Sequence, residues 1–258
     1  MEHSERTPII QVTHVTSAYH DGTVLLDDLS FDVYPGEVFV ILGRSGSGKS
    51  TLLKHMIGLH RPVRGSILIE GEDIVTTEGQ ERLEILSKIG VMYQEGALFG
   101  SMTLLENVRL PLEEHTDLPD DAIDTIALMK LQLVELGSAA YKLPDEISGG
   151  MRKRAAIARA MALDPRILFL DEPSAGLDPI TSAELDQLIV SLARNLKITF
   201  VVVTHELPSI EAIADRVIML DKHTKTIIAQ GKPNALRDHS ENPWVRQFFN
   251  READAAMS

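Results

Sequence analysis

The order of hydrophobic and polar positions along the chain predicts strands and helices in alternation. Short runs rich in β-branched residues, bounded by turn-forming residues, are typical of strands, and apolar residues three or four apart are typical of helices. Strands are predicted at Ile9–Val15, Leu29–Val33, Val38–Leu42, Ile67–Ile69, Ile89–Met92, Ile167–Leu170, Thr199–Val203 and Val217–Leu220, and helices at Thr51–Leu59, Asp120–Leu136, Ser148–Leu163 and Thr181–Leu196. This alternation indicates an α/β fold.

The strand pattern stops in one segment, residues 95–164, which shows only helical periodicity. We therefore expect an α/β core made of residues 1–94 and 165–231, in which a strand-rich lobe faces the ligand and an all-helical subdomain, residues 95–164, is inserted. Residues 232–258 follow the last strand signal and are expected to form a C-terminal helical extension.

Composition and charge narrow the class of protein. The chain has 258 residues, of which 44% are hydrophobic and 24% charged, as in an ordinary globular protein. Its net charge of −13 argues against binding to nucleic-acid phosphates, so no nucleic-acid partner is expected. The absence of cysteine excludes disulfide scaffolds, thiolate zinc sites and cysteine nucleophiles.

The first six residues do not resemble a signal peptide, and no apolar run approaches the roughly 18 residues that cross a bilayer. We expect a cytosolic chain that reaches a membrane only through a partner.

A glycine-rich segment between a predicted strand and a predicted helix carries the clearest chemical signal. Residues 43–50 read G-R-S-G-S-G-K-S and fit the phosphate-loop pattern G-x-x-x-x-G-K-[ST]. The glycines let backbone N–H groups turn towards phosphate oxygens, and a helix N-terminus favours anions. Lys49 is expected to reach the β- and γ-phosphates and Ser50 to bind Mg²⁺. The expected nucleotide-binding residues here are Gly43, Ser45, Gly46, Gly48, Lys49, Ser50 and Thr51.

Two acidic residues follow a second buried-strand pattern. Asp171 and Glu172 come directly after Ile167–Leu170. Ligands in open α/β sheets sit at the carboxyl ends of strands, so Asp171 is expected to hold Mg²⁺ and Glu172 to act as general base towards water. Two acids at a strand end are often merely exposed, but the phosphate loop favours the catalytic interpretation. Together the two motifs predict a Mg²⁺-dependent nucleoside triphosphatase.

Further motifs resemble those of a known family. The sequence reads I-S-G-G-M at residues 147–151, before a basic helical segment, and S-A-G-L-D at residues 174–178. Together with Gln94 and His205, these motifs resemble an ABC-transporter ATPase along the chain to about residue 231. The resemblance implies that the nucleotide is ATP.

The resemblance also implies individual roles. Tyr19, which alone could be an ordinary tyrosine, is implied to stack on adenine, and Gln94 to touch Mg²⁺ and sense the γ-phosphate. His205 is implied to be the switch histidine beside the γ-phosphate. The residues expected to carry hydrolysis are therefore Lys49, Gln94, Glu172 and His205, and those expected at the metal are Ser50, Gln94 and Asp171.

The signature motif of the family is implied at Ser148, Gly149 and Gly150, with Asp178 as the D-loop aspartate. A serine, glycines and a helix N-terminus make an anion site, yet the phosphate loop already surrounds phosphates from its own side. One chain therefore carries two incomplete half-sites, which two copies arranged head to tail are expected to complete. The usual L-S-G-G-Q is changed at Ile147 and Met151, and this change spares the serine and both glycines.

Five segments are similar to the ATPases of MCE-type lipid transporters, whose best-known members belong to the Mla system: Gln94–Phe99, Leu104–Val108, Leu110–Thr116, Gly150–Arg154 and Asn242–Phe248. The similarity implies an integral membrane permease, an MCE-domain protein, a small cytosolic regulator and phospholipid or other hydrophobic cargo. It places the chain on the cytoplasmic side of the inner membrane. An importer for a small polar solute remains the alternative, while a soluble non-transport ABC ATPase is disfavoured because the chain shows neither coiled coils nor a basic surface.

Two apolar segments keep open alternatives. Gly96–Phe99 either packs beneath the insertion or forms a docking surface for the permease, and the docking hypothesis is favoured because the segment follows Gln94. Near the C-terminus, Trp244, Phe248 and Phe249 share one helical stripe. That stripe either covers the chain's own core or docks on a neighbouring subunit or regulator.

Overall fold

The computed structural model describes residues 7–251, so the expectations for residues 1–6 and 252–258 lie outside the described residues. The strands are β1 (Ile10–Ala18), β2 (Val24–Val33), β3 (Val38–Gly43), β4 (Arg64–Ile69), β5 (Glu72–Asp73), β6 (Ile89–Met92), β7 (Ile167–Asp171), β8 (Thr199–Val203), β9 (Arg216–Leu220) and β10 (Ile227–Gly231). The α-helices are α1 (Lys49–Met56), α2 (Gly79–Ser87), α3 (Leu104–His115), α4 (Asp120–Leu133), α5 (Gly149–Ala160), α6 (Pro179–Leu196), α7 (Leu207–Ile213), α8 (Pro233–His239) and α9 (Pro243–Asn250).

The main sheet has six strands in the order β10-β9-β3-β8-β7-β6. Its strands are parallel except β10, which pairs with β9 in the antiparallel direction. The inner strands are buried on both faces, so their sequences are continuous apolar runs, and the sequence pattern predicted all five parallel strands. The edge strand β10 is only half-buried and was missed.

A second, antiparallel sheet forms the predicted strand-rich lobe in the order β2-β1-β4-β5. It packs towards one face of the main sheet, and the intervening core includes Phe31 and Phe39, whose rings stack 5.4 Å apart. Successive side chains of a strand point to opposite faces. Phe39 and Ile41 therefore enter this core, while Val38, Val40 and Leu42 enter a separate core on the other face.

The second core holds the helices. It gathers buried residues of α3, α4, α5 and α6 against the main sheet, together with Val245 and Phe249 from α9. Residues 95–164 contain helices and short 3-10 turns and, in the described structure, no strand, in agreement with the predicted helical character. Their division from the core as a separate subdomain stays a prediction.

The sequence analysis missed α3, although its signal was present. Thr103 caps this helix and Glu106 bonds back to it, with the Thr103 N–H donating to Glu106 Oε2 at 2.7 Å. This reciprocal pair is the capping box expected of a T-x-x-E sequence before an apolar run. No helix within residues 7–251 combines the length and hydrophobicity needed to cross a bilayer.

Candidate functional site

Four neighbouring strands of the main sheet end at one cleft. Gly43 ends β3, His205 follows β8, Asp171 ends β7 and is followed by Glu172, and Gln94 follows β6. Because these strands are parallel and adjacent, their carboxyl ends meet at the same sheet edge. The cleft has a volume of about 660 Å³ and is lined by Tyr19, Leu25, Gly43, Arg44, Ser45, Gly46, Ser47, Gly48, Lys49, Ser50, Thr51, Gln94, Glu172, His205 and Phe248.

The phosphate loop has the geometry that its glycines predict. Gly48 precedes α1 with φ of 92°, and a Cβ there would lie 2.5 Å from Leu26 Cδ2, so a larger residue would be both strained and crowded. The Lys49 ammonium donates to the Gly43 carbonyl at 2.9 Å, which holds it over the loop. Burial lowers the pKa of Lys49, while Glu172 and Asp171 act in the opposite direction.

Glu172 is the most constrained acidic residue of the cleft. Only 9% of it is exposed, and its backbone has φ of 47°, a left-handed conformation that is uncommon for glutamate. Its Oε1 lies 2.9 Å from His205 Nδ1, whereas Oε2 is buried and has no hydrogen-bond partner among the described residues. Such strain is often found at functional sites. One carboxylate oxygen thus lies against the histidine, and the other is buried without a partner in the described part of the chain.

Asp171 supplies a second unsatisfied oxygen. Its Oδ1 is buried without a hydrogen-bond partner in the described part of the chain. Burial raises the pKa of Asp171, and the neighbouring Glu172 raises it further, although Lys49 lowers it. A buried carboxylate oxygen requires a donor, a water molecule or a cation. Together with the exposed hydroxyl of Ser50, these groups fit Mg²⁺, which prefers oxygen ligands.

Tyr19 and Gln94 occupy the rim of the cleft. Tyr19 is 57% exposed, which leaves its ring available as a stacking surface. Gln94 is exposed. Its backbone carbonyl accepts a hydrogen bond from the buried Lys153 ammonium of α5. The cleft is therefore tied directly to the helix that begins at the Ser-Gly-Gly motif.

Four further predicted residues lie together and, like Asp171, are not among the residues that line this cleft: Ser148, Gly149, Gly150 and Asp178. Ser148 caps α5 by accepting the Met151 N–H at 3.2 Å, and Asp178 caps α6 by accepting the N–H groups of Ile180 and Thr181. Gly150 packs so tightly on Thr181 that a Cβ would overlap its methyl group. This placement leaves the motif outside the cleft of its own chain, as the half-site hypothesis expects.

Residues 26–175 match the family described as ABC transporter. This chain belongs to that family. It is 41% identical over 233 residues to the intermembrane phospholipid transport system ATP-binding protein MlaF of Escherichia coli, covering 90% of this chain and 86% of the relative. The MlaF of Haemophilus influenzae is 39% identical over 249 residues, covering 96% and 93%.

A second group of relatives carries another name. The probable ribonucleotide transport ATP-binding protein mkl of Mycobacterium leprae is 45% identical over 241 residues. The match covers 93% of this ABC ATPase and 68% of that relative, and 66% of its Mycobacterium tuberculosis counterpart. These relatives are thus longer proteins of which the chain spans about two thirds.

Solved structures agree with the family assignment. The ATP-binding cassette MJ0796, in a dimeric post-hydrolysis state bound to ADP and Pi, superposes with a TM-score of 0.78 and 32% identity over 86% of this chain and 98% of that one. The cbiO1 protein of Clostridium perfringens gives a TM-score of 0.82 and 29% identity over 91% and 92%. The predicted ABC ATPase fold is confirmed, and the chain is the ATPase subunit of an ABC transporter.

Sequence reasoning missed several residues that line the cleft of this ABC ATPase. Arg44 and Ser47 lie within the phosphate-loop segment but are variable positions of its pattern. Phe248 comes from α9, at the far end of the chain. Its aromatic stripe was visible in the sequence, but only the folded chain shows where the stripe lies. Phe249, at 3% exposure, is buried in the chain's own core.

Proposed function

We propose that this ABC ATPase hydrolyses ATP to move phospholipid, or another hydrophobic cargo, through a membrane permease. The observation that carries the proposal is the MlaF similarity along nearly the whole of both chains, combined with a cleft that contains the expected hydrolytic groups. The permease, an MCE-domain protein and a small cytosolic regulator complete the proposed assembly. The chain then lies on the cytoplasmic side of the inner membrane.

Hydrolysis in this proposal depends on the carboxylate of Glu172, which lines the cleft. His205, 2.9 Å from Oε1, orients this carboxylate, which accepts the proton of the attacking water. Lys49 binds β- and γ-phosphate oxygens in place of the Gly43 carbonyl, and Tyr19 stacks on adenine. Ser50, Gln94 and Asp171 would hold Mg²⁺, which would supply positive charge beside the phosphate oxygens.

The signature residues belong, in this proposal, to the site of a second copy. Ser148, Gly149 and Gly150 begin α5, where N–H groups and the helix dipole favour an anion. Because these residues do not line the cleft of their own chain, they would contact the ATP that is bound in the cleft of the partner chain. The dimeric state described for MJ0796 supports this arrangement.

The permease is proposed to dock at the loop after Gln94. Phe99 is 50% exposed, and its backbone is held by the fully buried Asn107, which accepts the Phe99 N–H at 2.8 Å and donates to the Phe99 carbonyl at 3.1 Å. Arg159 of α5 donates to the carbonyls of Gly96 and Ala97. An exposed apolar ring on such a rigid support suits a docking surface. Leu98, by contrast, is partly buried against the core and contributes to packing.

Ribonucleotide transport is the second candidate function. The printed name of the Mycobacterium leprae relative and its 45% identity favour it. The ATPase chemistry is the same for either cargo, since the proposed role of the cleft is to bind the nucleotide and not the cargo. The identity of the cargo therefore has to be measured on the assembled transporter.

The test is purification of tagged Glu172→Gln protein with ATP from mildly solubilised membranes, followed by mass spectrometry of the proteins and lipids retained. A permease with an MCE-domain protein and phospholipid is the expected result. A different permease with a periplasmic solute-binding protein would overturn the lipid cargo while leaving the ATPase assignment intact. The Lys49→Ala protein, purified in the same way without ATP, is the control for proteins retained independently of nucleotide.

A further inference from the structure

The C-terminal helix α9 is anchored in the core of the protein. Val245 is fully buried and Phe249 is 3% exposed, and both belong to the core between the main sheet and the helices. The Asn242 side chain caps the helix by accepting the Trp244 N–H at 3.0 Å. The helix is therefore held in one position relative to the main sheet.

Another part of α9 faces the nucleotide cleft. Phe248 lines the cleft together with Tyr19 and Leu25. One turn earlier, the Trp244 ring lies beneath the guanidinium of Arg44, with 4.7 Å between Arg44 Cζ and the ring centroid. Arg44 belongs to the phosphate loop, so a cation–π contact joins that loop to the helix.

The aromatic rings of α9 form a continuous path from the phosphate loop to the core. The centroids of Trp244 and Phe248 are 6.2 Å apart, and those of Phe248 and Phe249 are 5.3 Å apart in an edge-to-face arrangement. Such pairs are at favourable distances for aromatic contact. A displacement of the Arg44 side chain would therefore act on Trp244 by direct contact, and on Phe248 and Phe249 through the contacts between the rings.

We propose that α9 is a wall of the nucleotide site, in which Phe248 contacts bound nucleotide and Trp244 positions the phosphate loop through Arg44. This inference rests on the proposed ATP binding of the chain. The Phe248 ring offers apolar surface to the nucleotide beside Tyr19, and the charge of Arg44 responds to the phosphates that enter the loop. Neither role belongs to the phosphate-loop pattern itself.

The chain contains an intrinsic probe for this proposal, because Trp244 is its single tryptophan. ADP is titrated into the full wild-type chain, and Mg·ATP into the Glu172→Gln chain, while tryptophan emission is recorded. Calorimetry measures the dissociation constant of the same samples independently. The emission is expected to change and to saturate with the calorimetric dissociation constant, because the guanidinium over the ring moves when phosphate binds.

Substitutions in α9 and at Arg44 test which side chains contribute to nucleotide binding. Phe248→Ala is expected to weaken nucleotide binding by roughly tenfold through loss of an aromatic contact. Trp244→Ala is expected to weaken binding, and Trp244→Phe to restore most of it, since an aromatic ring again faces Arg44. Arg44→Ala is expected to reduce the emission change. Arg246→Ala, at an exposed position of the same helix, is the matched control and is expected to bind as the wild type does.

The outcomes distinguish this inference from the proposed function. If calorimetry detects no nucleotide binding to the wild-type chain, ATP binding itself fails and the inference fails with it. If nucleotide binds but the emission stays constant, or if Phe248→Ala binds as tightly as the wild type, the inference is wrong and the ATPase assignment stands. Circular dichroism checks that each variant is folded; should Phe248→Ala be unfolded, Phe248→Leu and the wild-type emission decide the matter.

Discussion

At the scale of single residues, backbone geometry and hydrogen bonding act together on Glu172. A left-handed backbone turns its side chain at the end of β7, and His205 from the neighbouring strand end holds one of its oxygens. The unfavourable conformation is maintained by its surroundings, including the bond from the Glu172 N–H to the Val203 carbonyl at 2.8 Å. The fold thus holds the Glu172 carboxylate in a fixed position at the cleft.

Glu172→Gln is expected to lower the rate of ATP hydrolysis at least about 100-fold, the usual contribution of a general base. The amide keeps the shape of the side chain but cannot accept the proton of water. Phosphate release measures the rate, and calorimetry should show that ATP still binds. Glu114→Gln removes an exposed carboxylate of α3 and serves as the control. Full steady-state hydrolysis by the Glu172→Gln chain would contradict the role.

Asp186 is a second buried carboxylate, away from the nucleotide cleft. It lines a groove of about 770 Å³ between α6 and α7, it is 5% exposed, and its Oδ1 has no hydrogen-bond partner among the described residues. Burial raises its pKa to about 6. The folded protein therefore favours the protonated carboxyl, and the contribution of Asp186 to stability falls as the pH rises from about 4 to about 6.

Asp186→Asn is accordingly expected to stabilise the protein at about pH 7.5, by roughly 1–3 kcal/mol, and to have little effect at about pH 4. The amide removes the cost of burying a charge. Thermal unfolding of both proteins at the two pH values measures the difference. Asp117→Asn, at an exposed position, should show no such pH dependence. A stabilisation that is equal at both pH values would argue against a buried ionised carboxylate.

At the scale of secondary-structure elements, α5 connects Gln94 at the cleft to the loop that follows it. Near the N-terminus of α5, Lys153 donates a hydrogen bond to the backbone carbonyl of Gln94. Near the C-terminus of α5, Arg159 donates to the backbone carbonyls of Gly96 and Ala97. A displacement of Gln94 by nucleotide would therefore move the loop that carries Phe99. This connection gives the proposed docking surface a physical route to the cleft.

Phe99→Asp is expected to weaken association with the permease by at least about tenfold, because it places a charge in an apolar contact. ATP hydrolysis by the isolated chain should stay within about twofold of the wild type, since Phe99 does not line the cleft. Co-purification from membranes measures association. Met129→Asp makes the same change at a residue of α4 that is 56% exposed, and is the matched control. Wild-type association of Phe99→Asp would rule out docking at this loop.

At the scale of the whole molecule, the two halves of the proposed ATP site lie on different surfaces of one chain. The phosphate loop follows β3, whereas the signature residues begin α5 and pack against α6. The close contact of Gly150 with Thr181 fixes the proposed signature residues beside Asp178, which caps the same helix α6. A second copy would therefore meet both motifs as one rigid surface.

Gly149→Asp is expected to abolish ATP-dependent dimers while preserving the monomer and its nucleotide binding. A Cβ at Gly149 meets only ordinary contacts, and an acid in the first turn of α5 suits the helix dipole, so the fold should be kept. The added charge would repel the phosphates of ATP held by the partner. Gel filtration of Glu172→Gln with ATP, with and without this second change, measures the dimer. Unchanged dimers in the double variant would contradict the head-to-tail arrangement.

The sequence by itself determined the features that are local. The phosphate loop is one contiguous segment, and the buried parallel strands are continuous apolar runs, so both were found without a structure. Weak or short signals were lost, as in the half-buried edge strand β10. The capping sequence of α3 is a local signal of the same kind, because its side-chain bonds join Thr103 and Glu106, three residues apart.

The tertiary structure decided which distant segments share a site. The order of β3, β8, β7 and β6 in the sheet brings Lys49, His205, Glu172 and Gln94 to one cleft, and strand order is set by packing of the whole core. The same holds for Phe248, whose stripe was visible but whose position was not. Val245 and Phe249 place it at the phosphate loop by entering the core. Periodicity records which side of an element is buried, but the surface it is buried against depends on contacts between residues far apart in the chain.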